Sequence, residues 1–557
     1  MASFTERYHE LTKYNPNTID RLGPVHWESQ PSTFKSISSK EKIDLLSHLQ
    51  SLINTLDQSS SPNPNPSLAS SPNPSLKPGL ETIASLLFFT LGLTARYLDQ
   101  AGQDFFLRAS PSAGGLYPTE IYVAVRNQPD LADGLYHYHS LKSALIPVWQ
   151  GSFWADLNHY FLGQKSIEAA DTLFLFTGLY GRSAWRYKER AYRRILLDTG
   201  HAVGNLVAAC NHFHLDTALL GGFVDEGLEE LLFLTHKEEF PLLAVAIGPN
   251  GTIPQPIGQY PSCSPEKAYE ILLANQANQA NQSQLANSSN SQVTDPMQVQ
   301  QNFCERIRHD EMVRPPVISV TTPFFSSSST SSSAPSASTS PISQPISILK
   351  TILNRRSCRS FTGKPITLAQ LKANLSFAFS NSSSISLSNS TSNSSISSPT
   401  DPSESPPSLP QTTSPLNQLA PNQMQFHIVA LNVIGLEAGV YEFDPIHQNL
   451  TLKRGGDFSS QSLFMCLGQE LASDCAFALV YTSDLAALTE AYGDRGYRYA
   501  CLDAGQIGER IQLYAIHQNL GSSGIGGYYD DEVNDLLELP LSHGILYLTV
   551  VGVPDEN

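Results

Sequence analysis

Apolar residues along this chain switch repeatedly between helical and strand spacing, and the switches fall into two long blocks separated by polar tracts. Ile43, Leu46, Leu49 and Ile53 share one face of a helix predicted over Lys40 to Leu56. An Asn/Pro/Ser tract, Ser59 to Pro78, cannot hold a helix and reads as a linker. A second helix is predicted from Leu80 to Tyr97. The Gly-containing loop Arg108 to Glu120 then feeds a strand at Ile121 to Val125. Further strands follow at Gly134 (GLYHYH) and Thr172 (TLFLFTG), with an amphipathic stretch at Trp154 to Leu162 between them. A long helix runs from Ala191 to His214, and ALLGGF and a strand at Leu242 to Gly248 close the block.

Residues 262–345 are rich in Gln, Asn, Ser, Thr and Pro and lack the apolar content to fold, so they read as a tether. A helical lead-in (Ile346, Leu349, Ile352, Leu353) and the helix LAQLKANLSFAF, ending at Phe379, restore a globular pattern. A second Ser/Asn/Pro tract covers about 380–421, and from Gln425 the order strand, turn, strand, helix, strand returns. The expected division is therefore 1–78 (extension and linker), 79–261 (first half), 262–345 (linker) and 346–557 (second half).

The second half repeats the first. Arg190, Tyr192, Arg193, Leu197, Asp198 and Gly200 reappear as Arg495, Tyr497, Arg498, Leu502, Asp503 and Gly505, each displaced by 305 positions (495 − 190). The same shift takes Gly134 and Tyr136 to Gly439 and Tyr441, and Gly221, Gly222 and Asp225 to Gly526, Gly527 and Asp530. One register held for about ninety residues marks an internal duplication of an α+β unit. Two such copies are expected to pack as a symmetric dimer would, about a pseudo-twofold axis.

The 557 residues carry a formal net charge of −17, a poor match for nucleic acid or an anionic membrane surface. No apolar run reaches the roughly 18 residues of a membrane span. The start of the chain has no charged-then-apolar leader, so a soluble, cytoplasmic protein is expected. Seven cysteines, none in a CxxC pair, suit reduced thiols rather than a disulfide framework, and no metal site is expected.

What the copies do not share carries the chemistry. RRSCR, Arg355 to Arg359, crowds three guanidinium groups around Ser357, a set suited to phosphate, with a basic surface patch as the plainer reading of the motif taken alone. The first copy has only Asn, Pro and Ser there. Conversely PSAGG, Pro111 to Gly115, falls on LNQLA, Leu416 to Ala420, in the second copy. Each half lacks one component and keeps the other, which predicts one composite anion or cofactor site between them. GIGG, Gly524 to Gly527, is a further strip whose backbone a flat ligand could approach.

Together these residues resemble the nitroreductase superfamily: RRSCRSF its Arg-x-Ser-x-Arg signature, and PSAGGLYP its Pro-Ser-Ala loop. GGLYP, GLYHYH, GVYEFD, RAYR and RGYR before LDxG, and GIGGYYDDEVNDLL resemble its SagB-type dehydrogenase branch, which includes azoline oxidases. The resemblance implies two tandem α+β units, each a central, mostly antiparallel sheet with flanking helices, forming an intramolecular pseudo-dimer. It implies FMN as cofactor, with NAD(P)H a candidate reductant, and a small-molecule or peptide-derived substrate. It also implies a pseudo-dimeric monomer or a homodimer. Arg355, Arg356, Ser357 and Arg359 would hold phosphate and ribityl oxygens. Pro111, Ser112, Ala113 and Gly114 would line the ring from the other half, and Ile525, Gly526 and Gly527 would offer backbone. Arg186-Tyr187 stands where azoline oxidases carry a Lys-Tyr pair for proton transfer. Arginine is a poor proton acceptor there, since its pKa stays above about 12. The implied activity is an FMN-dependent dehydrogenase. A nitro or quinone reductase and a non-catalytic flavin-binding scaffold are the alternatives.

Overall fold

The computed structural model describes residues 3–17, 19, 25, 27–37, 39, 41–58, 78–98, 104–235, 238–256, 348–380 and 418–555. The tracts read as linkers and as the Ser-rich insertion lie almost wholly outside the described residues. Five helices organise the rest: α1 (Phe4–Leu11), α2 (Leu80–Leu91), α3 (Ala191–His212), α4 (Leu368–Phe379) and α5 (Gly496–His517).

Each half builds one fully antiparallel sheet. In the first half the order is Ile43–Asp44, Ala144–Gln150, Gly134–His139, Thr119–Val125, Thr172–Leu179, Glu239–Pro249, Leu215–Leu220. In the second it is Asn449–Gly455, Gly439–Asp444, Gln425–Ala430, Phe477–Asp484, His543–Gly552, Gly521–Ile525. The duplication expected from the register is thus a duplication of fold, α3 and α5 starting 305 positions apart.

The pseudo-twofold axis passes between α3 and α5, where Gly200 meets Gly505, its own repeat. A Cβ on Gly200 would strike the Leu502 carbonyl, and one on Gly505 the Leu197 carbonyl, so the two backbones touch. No larger residue leaves that approach open. Along these helices Ile195, Leu196, Ile507 and Ile511 join one apolar core that runs through both halves. Separate cores fill the far sides of the sheets, around Leu157 and Leu173 in one half and Met465 and Val480 in the other.

Two predicted helices are corrected. The one drawn from Lys40 begins at Leu46, because Ile43 and Asp44 pair as a strand edge with Leu145 and Ala144, and the Asp44 carboxylate accepts from the Leu46 N–H. The one drawn to Tyr97 ends at Leu91; Gly92 leaves the helix in extended backbone, and Leu93–Leu98 turns back as a hairpin with Asp104–Arg108. Apolar content alone could not mark that end, since helix and hairpin are equally rich in it. The helix Tyr180–Tyr187, which positions Arg186 and Tyr187, was not anticipated.

Candidate active site between the halves

The arginine motif meets the strand end that leads into PSAGG. The helix Ile348–Asn354 delivers Arg355 into the interface, where its side chain is buried. Its Nε–H donates to the Ala109 carbonyl at 3.0 Å and Nη2–H to that of Arg108 at 3.4 Å, both just before PSAGG in the other half. Arg356 folds back onto main-chain oxygens: Nη1–H donates to Leu353 and Arg355 and Nη2–H to Thr94. Two of the three arginines therefore serve backbone carbonyls. Among the described residues, the side chains of half-buried Ser357 and exposed Arg359 make no hydrogen bond or ion pair, which leaves them open to an anion.

PSAGG is held rigidly from below. Asp198 of α3 accepts from Ser112 Oγ at 2.6 Å and from the Ala113 N–H at 3.0 Å, and Ser112 Oγ in turn accepts from the Tyr117 N–H. Burial pushes this carboxyl up to about 6, the Ser112 and Ala113 bonds opposing it. Its repeat, Asp503, grips Leu419 and Ala420 N–H at 2.9 and 2.8 Å, and burial pushes it up to about 7. The recurring Asp is thus a loop anchor in both copies, even where the PSA loop is gone.

Gly114, at φ 66°, opens toward the residue pair singled out for proton transfer: a Cβ there would lie 2.9 Å from Tyr187 Oη and 3.1 Å from Arg186 Nη1. Arg186 is exposed, its guanidinium over the rings of Trp27 and Tyr187. Tyr187 is half-buried and its hydroxyl is raised by burial, Arg194 and Arg186 pulling the other way. Within the first half Arg194 stacks over Tyr187 at 5.0 Å, and it reaches across the interface to lie directly against Gly526. Gly526 thus faces a cation from the first half. Ile525 points into the outer core of the second half, and the Gly527 carbonyl accepts from Gln469.

Sequence reasoning passed over Arg194. Its signal was a break in the repeat: position 194 maps onto Tyr499, whose ring packs on Gly221 as Arg194 packs on Gly526. The recurring arginines are structural. Arg190 and Arg193 pair with Asp530, while Arg495 and Arg498 pair with Asp225, one displacement of 305 away.

The donor set fits a phosphate-bearing, flat group such as FMN. Buried Arg355 Nη1 and Arg194 Nε have no hydrogen-bond partner, the Ser357 and Arg359 side chains are open, and glycines at 114 and 526 let Tyr187 and Arg194 come up against the backbone.

A duplicated α+β fold, each half built on one large antiparallel sheet and the two packed through α3 and α5, is the frame that brings these residues together. Residues 77–249 and 352–553 both match the nitroreductase family, and the chain belongs to it as two tandem units. A solved nitroreductase-type structure from Anabaena variabilis superposes over 100% of both chains with a TM-score of 0.72 and 30% identity. A protein provisionally named a nitroreductase, from Methanocaldococcus jannaschii, is 28% identical over 169 residues, 30% of this chain and 80% of its own. The microcin B17-processing protein McbC of Escherichia coli is 24% identical over 153 residues, 25% of this chain and 54% of its own, in keeping with the SagB-type branch. No helix among the described residues is long and apolar enough to cross a membrane.

Proposed function

We propose that this oxidoreductase is FMN-dependent and of the SagB-type dehydrogenase kind, with one cofactor at the interface of its halves. The observation that carries the reading is the contact of Arg355 with the Arg108 and Ala109 carbonyls, which brings the arginine motif of one half to the residues just before PSAGG in the other. Bound FMN would supply two-electron hydride chemistry, and the chain supplies binding, orientation and electrostatics. Ser357, Arg359 and the free edge of Arg356 hold the phosphate and ribityl oxygens, while Arg355 fixes the loop that carries Pro111, Ser112, Ala113 and Gly114. That loop and the backbone of Ile525 to Gly527 line the ring, with Arg194 placing a positive charge beside it.

Arg186 and Tyr187 stand over the open side. Tyr187 recurs as Tyr492, which packs on Tyr499 as Tyr187 packs on Arg194, so packing accounts for much of its presence. Arg186 recurs only as Ala491. An exposed arginine that cannot accept a proton favours a second reading, an NAD(P)H-dependent nitro or quinone reductase, in which Arg186 meets an anionic donor. A peptide-derived substrate, as the name of McbC suggests for that protein, belongs to the first reading.

Native mass spectrometry and the visible spectrum of the purified chain test both. The proposal expects one FMN per chain and a yellow protein. Bleaching by NADPH or NADH selects the reductase, whereas bleaching by substrate alone selects the dehydrogenase. A colourless chain that takes up no FMN leaves only a scaffold.

A further inference from the structure

A chain of buried polar groups runs from the arginine motif to the glycine strip and crosses between the halves twice. Arg355 Nε lies 3.8 Å from Glu509 Oε1, Glu509 Oε2 lies 2.7 Å from His201 Nδ1, and His201 Nε2 lies 2.9 Å from Tyr547 Oη. Arg355, Glu509 and Tyr547 belong to the second half and His201 to the first. Glu509 and His201 are 0 and 2% exposed, so both side chains are removed from water. Tyr547 Oη presses on Gly524, where any Cβ would collide with it.

The duplication supplies an internal control. At the pseudo-equivalent place Glu509 maps onto Gly204 and His201 onto Gln506 by the shift of 305. Strand pairing maps Tyr547 onto Leu243, since Tyr481 faces Tyr547 as Phe176 faces Leu243. Gly524 maps onto Leu219. The same helix crossing therefore stands without the chain on the side that lost its binding motifs. A buried ion chain costs desolvation and is weak support for stability. Its confinement to the side that kept both motifs ties it to the ligand.

His201 can be wired in two ways. When neutral, its Nδ1–H donates to Glu509 and Nε2 accepts the Tyr547 hydroxyl proton, so that hydroxyl points into the chain. With a second proton both ring nitrogens donate. Tyr547 Oη then accepts, and its own O–H turns to another acceptor on the glycine-strip side. The same proton adds a positive charge to the Arg355–Glu509 pair, which favours an anion. The other charged groups bearing on this place are Asp198 and Arg194, both close to Tyr547, with the Tyr481 ring tilted beside it at 5.5 Å.

We propose that His201, between Glu509 and Tyr547, is a proton-linked positioning residue: binding of a phosphate-bearing, flat ligand takes one proton from solvent onto His201 Nε2 and releases the Tyr547 hydroxyl as a donor to that ligand. No other bond is made or broken. The inference rests on the FMN reading and adds the linkage to it.

The test is calorimetric titration of FMN into the full-length chain freed of flavin, run near neutral pH in two buffers of different ionisation enthalpy, which counts protons exchanged on binding. Wild type should take up protons. His201→Gln, which installs the residue found at the equivalent position, should bind FMN with that uptake abolished, as should Glu509→Gln. Tyr547→Phe should keep the uptake and weaken binding about tenfold, the loss of one hydrogen bond. Thermal melts of the three variants confirm that they fold. Binding without proton uptake, or uptake unchanged in His201→Gln, overturns the linkage while leaving the flavoprotein reading intact. No FMN binding by wild type overturns both.

Discussion

The two pseudo-equivalent sites of this molecule share a frame and differ in what fills it. On one side Arg194 lies on Gly526 and over Tyr187; on the other Tyr499 lies on Gly221 and beside Tyr492. Both sides keep an aspartate that anchors a loop and an aspartate that pairs with two arginines. Only one keeps buried charge leading to an arginine motif. What recurs in both copies holds the fold together, and what occurs once is where binding should be sought.

The N-terminal segment also breaks the symmetry. α1 and the residues after it lie over Asp530: the Tyr14 N–H donates to this carboxylate at 3.0 Å, the Thr12 carbonyl accepts from Arg190, and Tyr14 lies under the Arg190 guanidinium. Asp530 is fully buried as a result, while the Asp225 side chain remains 28% exposed. Burial alone would raise the Asp530 carboxyl, but Arg190 and Arg193 outweigh it and hold the group well below the usual carboxylate range.

The largest expected effect tests the shared frame. Gly200→Val and Gly505→Val should be about equally damaging, each by roughly 3 kcal/mol or more, because each forces side-chain volume into a backbone contact. Denaturant midpoints of the two variants check this; markedly unequal losses would place the axis elsewhere. Next, Asp530→Ala should cost about 3–5 kcal/mol by leaving two buried arginines unpaired. Asp225→Ala should cost about 1 kcal/mol, since water reaches its pair. Equal losses in chemical denaturation would remove the role given to α1.

A pH series separates the two kinds of aspartate. Asp198 and Asp503 have folded values of about 6 and about 7, above their ordinary carboxylate value. The stability they contribute is present when they are protonated in both states and is lost as pH rises through those values. Asp530 works in the opposite sense: its contribution is present above the ordinary carboxylate value and lost as pH falls below it. Stability should therefore decline on both flanks of a weakly acidic maximum, and Asp503→Asn should flatten the alkaline flank in denaturation curves. An unchanged alkaline flank would count against Asp503 as its source. The smallest effect is expected from Ser112→Ala, about 1 kcal/mol, since the Ala113 N–H still meets Asp198 as Leu419 and Ala420 meet Asp503 by backbone alone. Thermal melts measure it, and FMN affinity should fall with it as the PSAGG loop loosens.

The sequence by itself determined the duplication, the strands and long helices, and the split of RRSCR and PSAGG between the halves. Those features live in local periodicity and in a single register, which a linear reading can follow. It also held the clue to Arg194, His201 and Glu509, as places where the repeat is broken by Tyr499, Gln506 and Gly204. Only the tertiary structure decided which partners these residues take. His201 and Glu509 lie 308 positions apart, and Arg190 and Asp530 lie 340 apart. The packing of α3 on α5 at Gly200 and Gly505 sets which side chains face each other across the axis, and no local pattern encodes that choice. The start of the helix at Leu46 and the end of the helix at Leu91 were likewise settled by a strand edge and a hairpin formed elsewhere in the fold.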